Sequence, residues 1–370
     1  MFRMAVNSTE MEESMGIIRE AFGVTKNEDR VTKYTMTNQN GMKVSIIDYG
    51  AVITNIWMPD KNGVLEDIAL GFSSIEGYEV NKPAFGAIIG RVANRISNAS
   101  FTLNGKTYQL EQNDETNCLH GGSNRFEKHM YKAECSTEEG ADSISFTRVS
   151  EDMEQGFPGN LTITVTYTLN DANELIIDYY GVSDADTVIS LTNHCYYNIG
   201  KGGHKCKTVL DQTLQVFSDA YTPVNEVLAT TGEIRSVENT AMDFREPHRI
   251  GERIGEPQPD ESIVAGYDHN YILNTKDGEA VKAAIYSDSE TGRVMEVFTD
   301  FPGVQIYTAR ELSVASGKED VPYNGFAGIC FETQNYPDAV NKPEFPSAVL
   351  RAGEEYKRTA VFRFGIEGQA

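Results

Sequence analysis

Phe101-Thr102-Leu103-Asn104-Gly105-Lys106-Thr107-Tyr108 decides the fold class of this chain. Two short runs of β-favouring residues flank an Asn-Gly pair. A two-residue type I′ turn needs φ > 0 at both central positions, and Asn and Gly tolerate that best. The segment reads as a tight antiparallel hairpin, and Asn40-Gly41 and Asn62-Gly63 repeat the signal. Working outward, residues 44–48, 52–57, 143–149, 161–169, 174–182, 281–287, 293–299 and 359–364 are rich in β-branched and aromatic residues. Many short strands joined by tight turns predict an all-β protein, a large antiparallel sandwich rather than a parallel α/β sheet. One helix is expected near the start. Thr9 with Glu12 makes a capping-box pattern, Met11, Met15, Ile18 and Phe22 recur at helical spacing, and Gly23 suits a C-terminal stop. With no repeat, low-complexity tract or linker in view, residues 1–30 read as a helical appendage and residues 31–370 as a single domain.

The chain has 370 residues and a formal net charge of −23. Such an acidic balance argues against a nucleic-acid partner, whose phosphates need a basic surface. It also favours neutral ligands over anionic ones. The five cysteines (118, 135, 195, 206 and 330) form an odd set without a Cys-x-x-Cys pair, so they read as reduced thiols of a cytoplasmic protein. No signal peptide and no apolar stretch long enough for a bilayer are visible, so no membrane partner is expected. The six histidines (120, 129, 194, 204, 248 and 269) show no metal-ligand spacing, and neither a metal nor a cofactor is expected. There is no phosphate-binding glycine loop, no dinucleotide fingerprint and no nucleophile elbow.

Several polar constellations interrupt the apolar pattern. In Leu191-Thr192-Asn193-His194-Cys195-Tyr196-Tyr197-Asn198, residues two apart share a strand face, so Thr192, His194, Tyr196 and Asn198 are expected to point into one space. Asn94-Arg95 sits in an apolar run. His120 precedes Gly121-Gly122, where the backbone can bend and a ligand can approach closely. Asp268 precedes an apolar strand, where it either caps a turn or faces a ligand. Glu332 closes the apolar run Gly328-Ile329-Cys330-Phe331, and an unpaired carboxylate there should hold its proton more tightly, as a general base requires. A salt bridge to an arginine is its structural alternative.

Taken in order, these segments resemble one family. Asp48-Tyr49-Gly50-Ala51, Gly90-Arg91-Val92-Ala93-Asn94-Arg95-Ile96, Asn117-Cys118-Leu119-His120-Gly121-Gly122, Gly156-Phe157-Pro158-Gly159-Asn160, the 191–198 run, Pro302-Gly303-Val304-Gln305-Ile306-Tyr307-Thr308 and Glu332-Thr333-Gln334 are similar to motifs of the aldose 1-epimerases, the galactose mutarotases. The resemblance implies a large antiparallel β-supersandwich that interconverts the anomers of free aldohexoses without a cofactor, as a monomer or homodimer. By the same resemblance His194 matches the catalytic acid and Glu332 the catalytic base. Asn94, Arg95, His120, Tyr196, Asp268 and Gln305 match sugar-contacting positions. A sugar-phosphate epimerase would need a basic cluster, and only Arg91 and Arg95 lie close together at a candidate site. A non-catalytic sugar-binding protein would be expected to lack His194 or Glu332. A glycoside hydrolase would need two opposed carboxylates, for which Glu332 and Asp268 are the candidates.

Overall fold

The computed structural model describes residues 12–14, 16–255, 266–276 and 278–368. The Asn104-Gly105 hairpin forms as read. Both residues have positive φ (+52° and +76°), Ser100–Leu103 pairs with Lys106–Gln109, and the Phe101 and Tyr108 rings stack 5.2 Å apart. The other two Asn-Gly pairs also join paired strands, but within longer loops in which only the glycine is left-handed. The cause is a side chain two residues earlier. Asn38 Oδ1 accepts the N–H groups of Asn40 and Met42, and Asp60 Oδ1 accepts those of Asn62 and Val64. Each makes an Asx-type loop that outcompetes a two-residue turn.

Among the described residues, three large sheets of antiparallel ladders carry the chain. The largest runs, in spatial order, through Lys132–Glu138, Ala141–Ser150, Leu161–Asn170, Glu174–Ser183, Glu355–Ile366, Arg293–Thr299, Val281–Ser287, Thr213–Val216 and His248–Arg249. Strand Leu161–Asn170 shows how sequence sets its faces. Leu161, Ile163, Val165, Tyr167 and Leu169 are buried, while Thr164, Thr166 and Thr168 meet Thr147, Ser145 and Ser143 in hydroxyl pairs of 2.8–2.9 Å. Such cross-strand pairs fix register, because a one-residue slip would turn every apolar side chain outward. A first sheet of six described strands runs from Glu12–Ser14 to Leu65–Asp67. One apolar cluster joins its Ile46 and Ile53 to Tyr167 and Ile177 of the largest sheet and to Val304 and Phe331 of a third.

The expected N-terminal helix is corrected by the structure. Glu12–Ser14 and Ile17–Val24 are strands at the edge of the first sheet, and Ile17–Val24 pairs with Arg30–Thr37. Residues 1–11, with the Thr9 cap and Met11, and Met15 lie outside the described residues. Gly16 has φ +85°, a conformation that stops a right-handed helix before Ile17. Beyond it, the hydrogen-bonding edge of Arg30–Thr37 outweighs a modest local helix preference.

The third sheet positions the site. Its order is Tyr196–Tyr197, Ile329–Gln334, Gly303–Tyr307, Asp268–Ile272, Ala220–Thr222 and Arg235–Ser236. Asn270, Gln305 and Glu332 stand opposite one another on three adjacent strands. Ile329–Gln334 is buried along its whole length, so the Glu332 carboxyl is carried into the interior.

Candidate active site

The 191–198 run is not one strand. Thr192–Asn193 pairs with Ile88–Ile89, and Tyr196–Tyr197 pairs with Ile329–Gln334, so the run crosses between two sheets. Asn193 makes the break: its Oδ1 accepts the Cys195 N–H at 3.0 Å and its Nδ2 donates to the Gly86 carbonyl at 3.0 Å. The four-residue alternation is therefore corrected. His194 and Tyr196 line a cleft, whereas Asn198 donates to the carbonyls of Cys206 and Ala327, and Thr192 is fully buried away from it.

The cleft encloses about 260 Å³, near the lower end of the roughly 300–1,000 Å³ of small-molecule sites. His194 and Glu332 form its floor, with Nε2 and Oε1 3.7 Å apart and both residues almost wholly buried. Asn94, Arg95, His120, Tyr196 and Asp268 line the walls, so seven of the eight residues singled out from sequence meet in one space. Gln305 stands behind the wall. Its Nε2 donates to Asp268 Oδ1 at 2.6 Å, which holds that carboxylate in place. Sequence reading missed Arg125, Tyr267, Tyr307 and Leu228. Arg125 is clamped by Glu127 (Nε to Oε1, 2.6 Å) and donates to the Asn81 carbonyl; no local pattern announces it, since its role comes from chain segments far apart.

Backbone strain gathers here. Ala84, Asn94, His120 and Leu228, all in the cleft wall, have φ between +55° and +61°. Gly121 is needed for a steric reason as well as its φ of +81°, because a Cβ there would lie 2.4 Å from the Gly90 carbonyl oxygen. His120 lies against His194, ring centroids 5.2 Å apart and edge to face.

A backbone hydrogen bond assigns the His120 ring proton. The Asn94 backbone N–H donates to His120 Nδ1 at 3.2 Å, so the neutral ring carries its proton on Nε2. His194 Nδ1 meets the buried Cys330 sulfur at 3.5 Å, and its ring stacks on Tyr196. The ring nitrogens of the two histidines and a Glu332 oxygen lie within 4.8 Å of one another, near enough to suggest a metal centre. The His120 tautomer argues against it, since a protonated Nε2 has no lone pair to give.

Burial dominates the electrostatics. It lowers His194 to about 3, with the Arg125 charge acting the same way. It lowers His120 well below the usual histidine range, helped by His194, Arg125 and Arg95. It raises Glu332 well above the carboxylate range, reinforced by the Asp268 charge and opposed by Arg95. Glu332 Oε2 is buried with no hydrogen-bond partner, an acceptor directed at nothing the protein supplies. A buried acceptor of this kind costs about 1–3 kcal/mol unless something completes it.

The family model described as aldose 1-epimerase matches residues 32–363. Galactose mutarotase from Mus musculus is 38% identical over 353 residues, covering 95% of this chain and 99% of the relative. Aldose 1-epimerase from Escherichia coli is 34% identical over 336 residues, covering 90% and 95%. Among solved structures, an aldose epimerase homologue from C. elegans superposes with a TM-score of 0.83 at 29% identity, covering 90% of this chain and 98% of its own. Galactose 1-epimerase from Lactobacillus acidophilus gives 0.82 at 26%, covering 96% and 100%.

Proposed function

This chain belongs to the aldose 1-epimerase family, a family of isomerases, and we propose that it interconverts the α and β anomers of free hexoses such as galactose and glucose, with His194 and Glu332 as the proton-handling pair. The observation that carries the reading is the 3.7 Å approach of two buried titratable groups at the floor of one cleft. Glu332 takes the anomeric O1–H proton while His194 gives one to the ring oxygen, and the C1–O5 bond breaks. The open aldehyde turns about C1–C2. In closing, His194 takes the proton back from the O5 hydroxyl, and Glu332 returns one to the carbonyl oxygen. Protons balance at every stage, because the pair holds one proton in the closed-ring complex and one in the open-chain complex, merely exchanged between carboxyl and imidazole. Burial favours the neutral pair, which accompanies the open aldehyde, so the carboxylate–imidazolium pair that starts the cycle is the costly state and is stabilised by the hydroxyls of the bound sugar. Two such groups each contribute about a hundred- to ten-thousand-fold in rate.

The remaining wall residues suit hydroxyls. His120 Nε2–H donates, Asp268 accepts, and Arg95, whose Nε is taken by Asp114 at 2.7 Å, keeps its terminal amino groups for the sugar. The unmet Glu332 oxygen is completed by a sugar hydroxyl. Polarimetry on freshly dissolved α-D-galactose tests the reading. Rotation should relax far faster with the protein than without it, and an unchanged rate would refute the activity.

Acidity dependence follows from the pair. Its active form carries one proton in total. A second must enter on His194, whose pKa of about 3 resists it; the last must leave Glu332, whose pKa is raised. The rate constant kcat/KM is expected to stay level from about pH 7 down to about pH 5, and to fall first on the alkaline side. A tenfold loss across that acid interval would contradict the assignment. Dialysis against EDTA is expected to leave the polarimetric rate unchanged, since His120 offers a proton rather than a lone pair.

A further inference from the structure

Leu228 has φ +58° and lines the cleft. A left-handed backbone is disfavoured for a branched residue, a penalty that glycine avoids. The turn around it is fixed from several sides. Asn225 Oδ1 accepts the N–H groups of Val227 and Ala229 at 3.1 and 3.0 Å, the Leu228 N–H bonds the Asn225 carbonyl, and Val224 bridges to Thr230. The tip is then pinned to the segment that carries His120. Buried Asn117 donates its Nδ2 to the Val227 carbonyl at 2.9 Å. A residue with a left-handed backbone, on a braced turn tied to a cleft wall, half-buried and lining the cleft, serves the space in front of it.

We propose that Leu228 is a specificity-determining residue, an apolar contact for the C–H face of the sugar that favours galactose over glucose. The proposal rests on the anomerisation reading above. With the anomeric carbon between His194 and Glu332 on the floor, the far side of the ring comes up to the mouth where Leu228 stands. In galactose the axial hydroxyl at carbon 4 leaves carbons 3 to 6 as a continuous apolar face. In glucose the equatorial hydroxyl interrupts that face. An isobutyl group complements the first and leaves the second partly unsolvated.

The test compares Leu228→Gly, Leu228→Ala and Leu228→Met with the parent protein, by polarimetric kinetics on both sugars and by thermal unfolding. In Leu228→Gly, KM for galactose should rise about five- to tenfold with kcat unchanged, as expected for losing most of one apolar side chain's contact. KM for glucose should rise about twofold or less. The glycine variant should melt no lower than the parent, because it relieves the strained φ. Leu228→Ala should match it in KM, and Leu228→Met should stay near the parent. Equal KM changes for the two sugars, no change for either, or a fall in kcat that tracks a lowered melting temperature would each overturn the proposal. A parent protein inactive on both sugars would instead overturn the activity reading, and the Leu228 role with it.

Discussion

Replacing Glu332 by glutamine is expected to slow galactose anomerisation by about a thousandfold or more while leaving sugar affinity within about threefold. Glutamine keeps the size of the side chain and can still meet a hydroxyl, but it cannot take up the O1 proton. The carboxyl is 2% exposed, so water has little access to stand in for it. Polarimetric kcat together with calorimetric binding separates the two effects. A variant as fast as the parent would remove Glu332 from the base role, and one that no longer binds sugar would make it a binding group instead.

His194→Ala is expected to produce a loss of the same order. The imidazole is the group nearest Glu332 that can hand a proton to the ring oxygen, and the thiol behind it at Cys330 is held far too weakly acidic by burial to substitute. On the proposed exchange of one proton between the two residues, the double variant should be hardly slower than either single one, in contrast to two independent contributions. Losses that multiply would mean that the residues serve separate steps. The alanine also removes a ring that stacks on Tyr196 and meets His120 edge-on, so circular dichroism and a melting curve should accompany the kinetics.

The β architecture was legible wherever a local rule was strong. Asn104-Gly105 gave its turn, and the alternating Leu161–Asn170 segment gave its buried and open faces. The N-terminal segment was misread because helical spacing from Met11 to Phe22 carries no information about the strand edge that Arg30–Thr37 offers it. At the site, residue types were readable and their arrangement was not. Thr192 and Asn198 follow the same alternation as His194 and Tyr196, yet the Asn193 side chain breaks the run after Thr192. Asn198 lies beyond the Tyr196–Tyr197 strand, donating to the Cys206 and Ala327 carbonyls. Gln305 was recognised by resemblance, but its geometry makes it a support for Asp268. Arg125 and Leu228 were invisible, since each is placed in the cleft by a partner on a distant segment, the Asn81 carbonyl for Arg125 and, through the neighbouring Val227 carbonyl, Asn117 for Leu228.

The floor of the cleft joins positions 194 and 332, and its walls add 94, 120 and 268. No short stretch of the polypeptide contains the constellation, which spans residues 94 to 332, and non-local pairings of this sort are the slow ones to assemble. Recovery of anomerisation after refolding would therefore report that segments far apart in the chain have docked together, which strand content alone would not reveal.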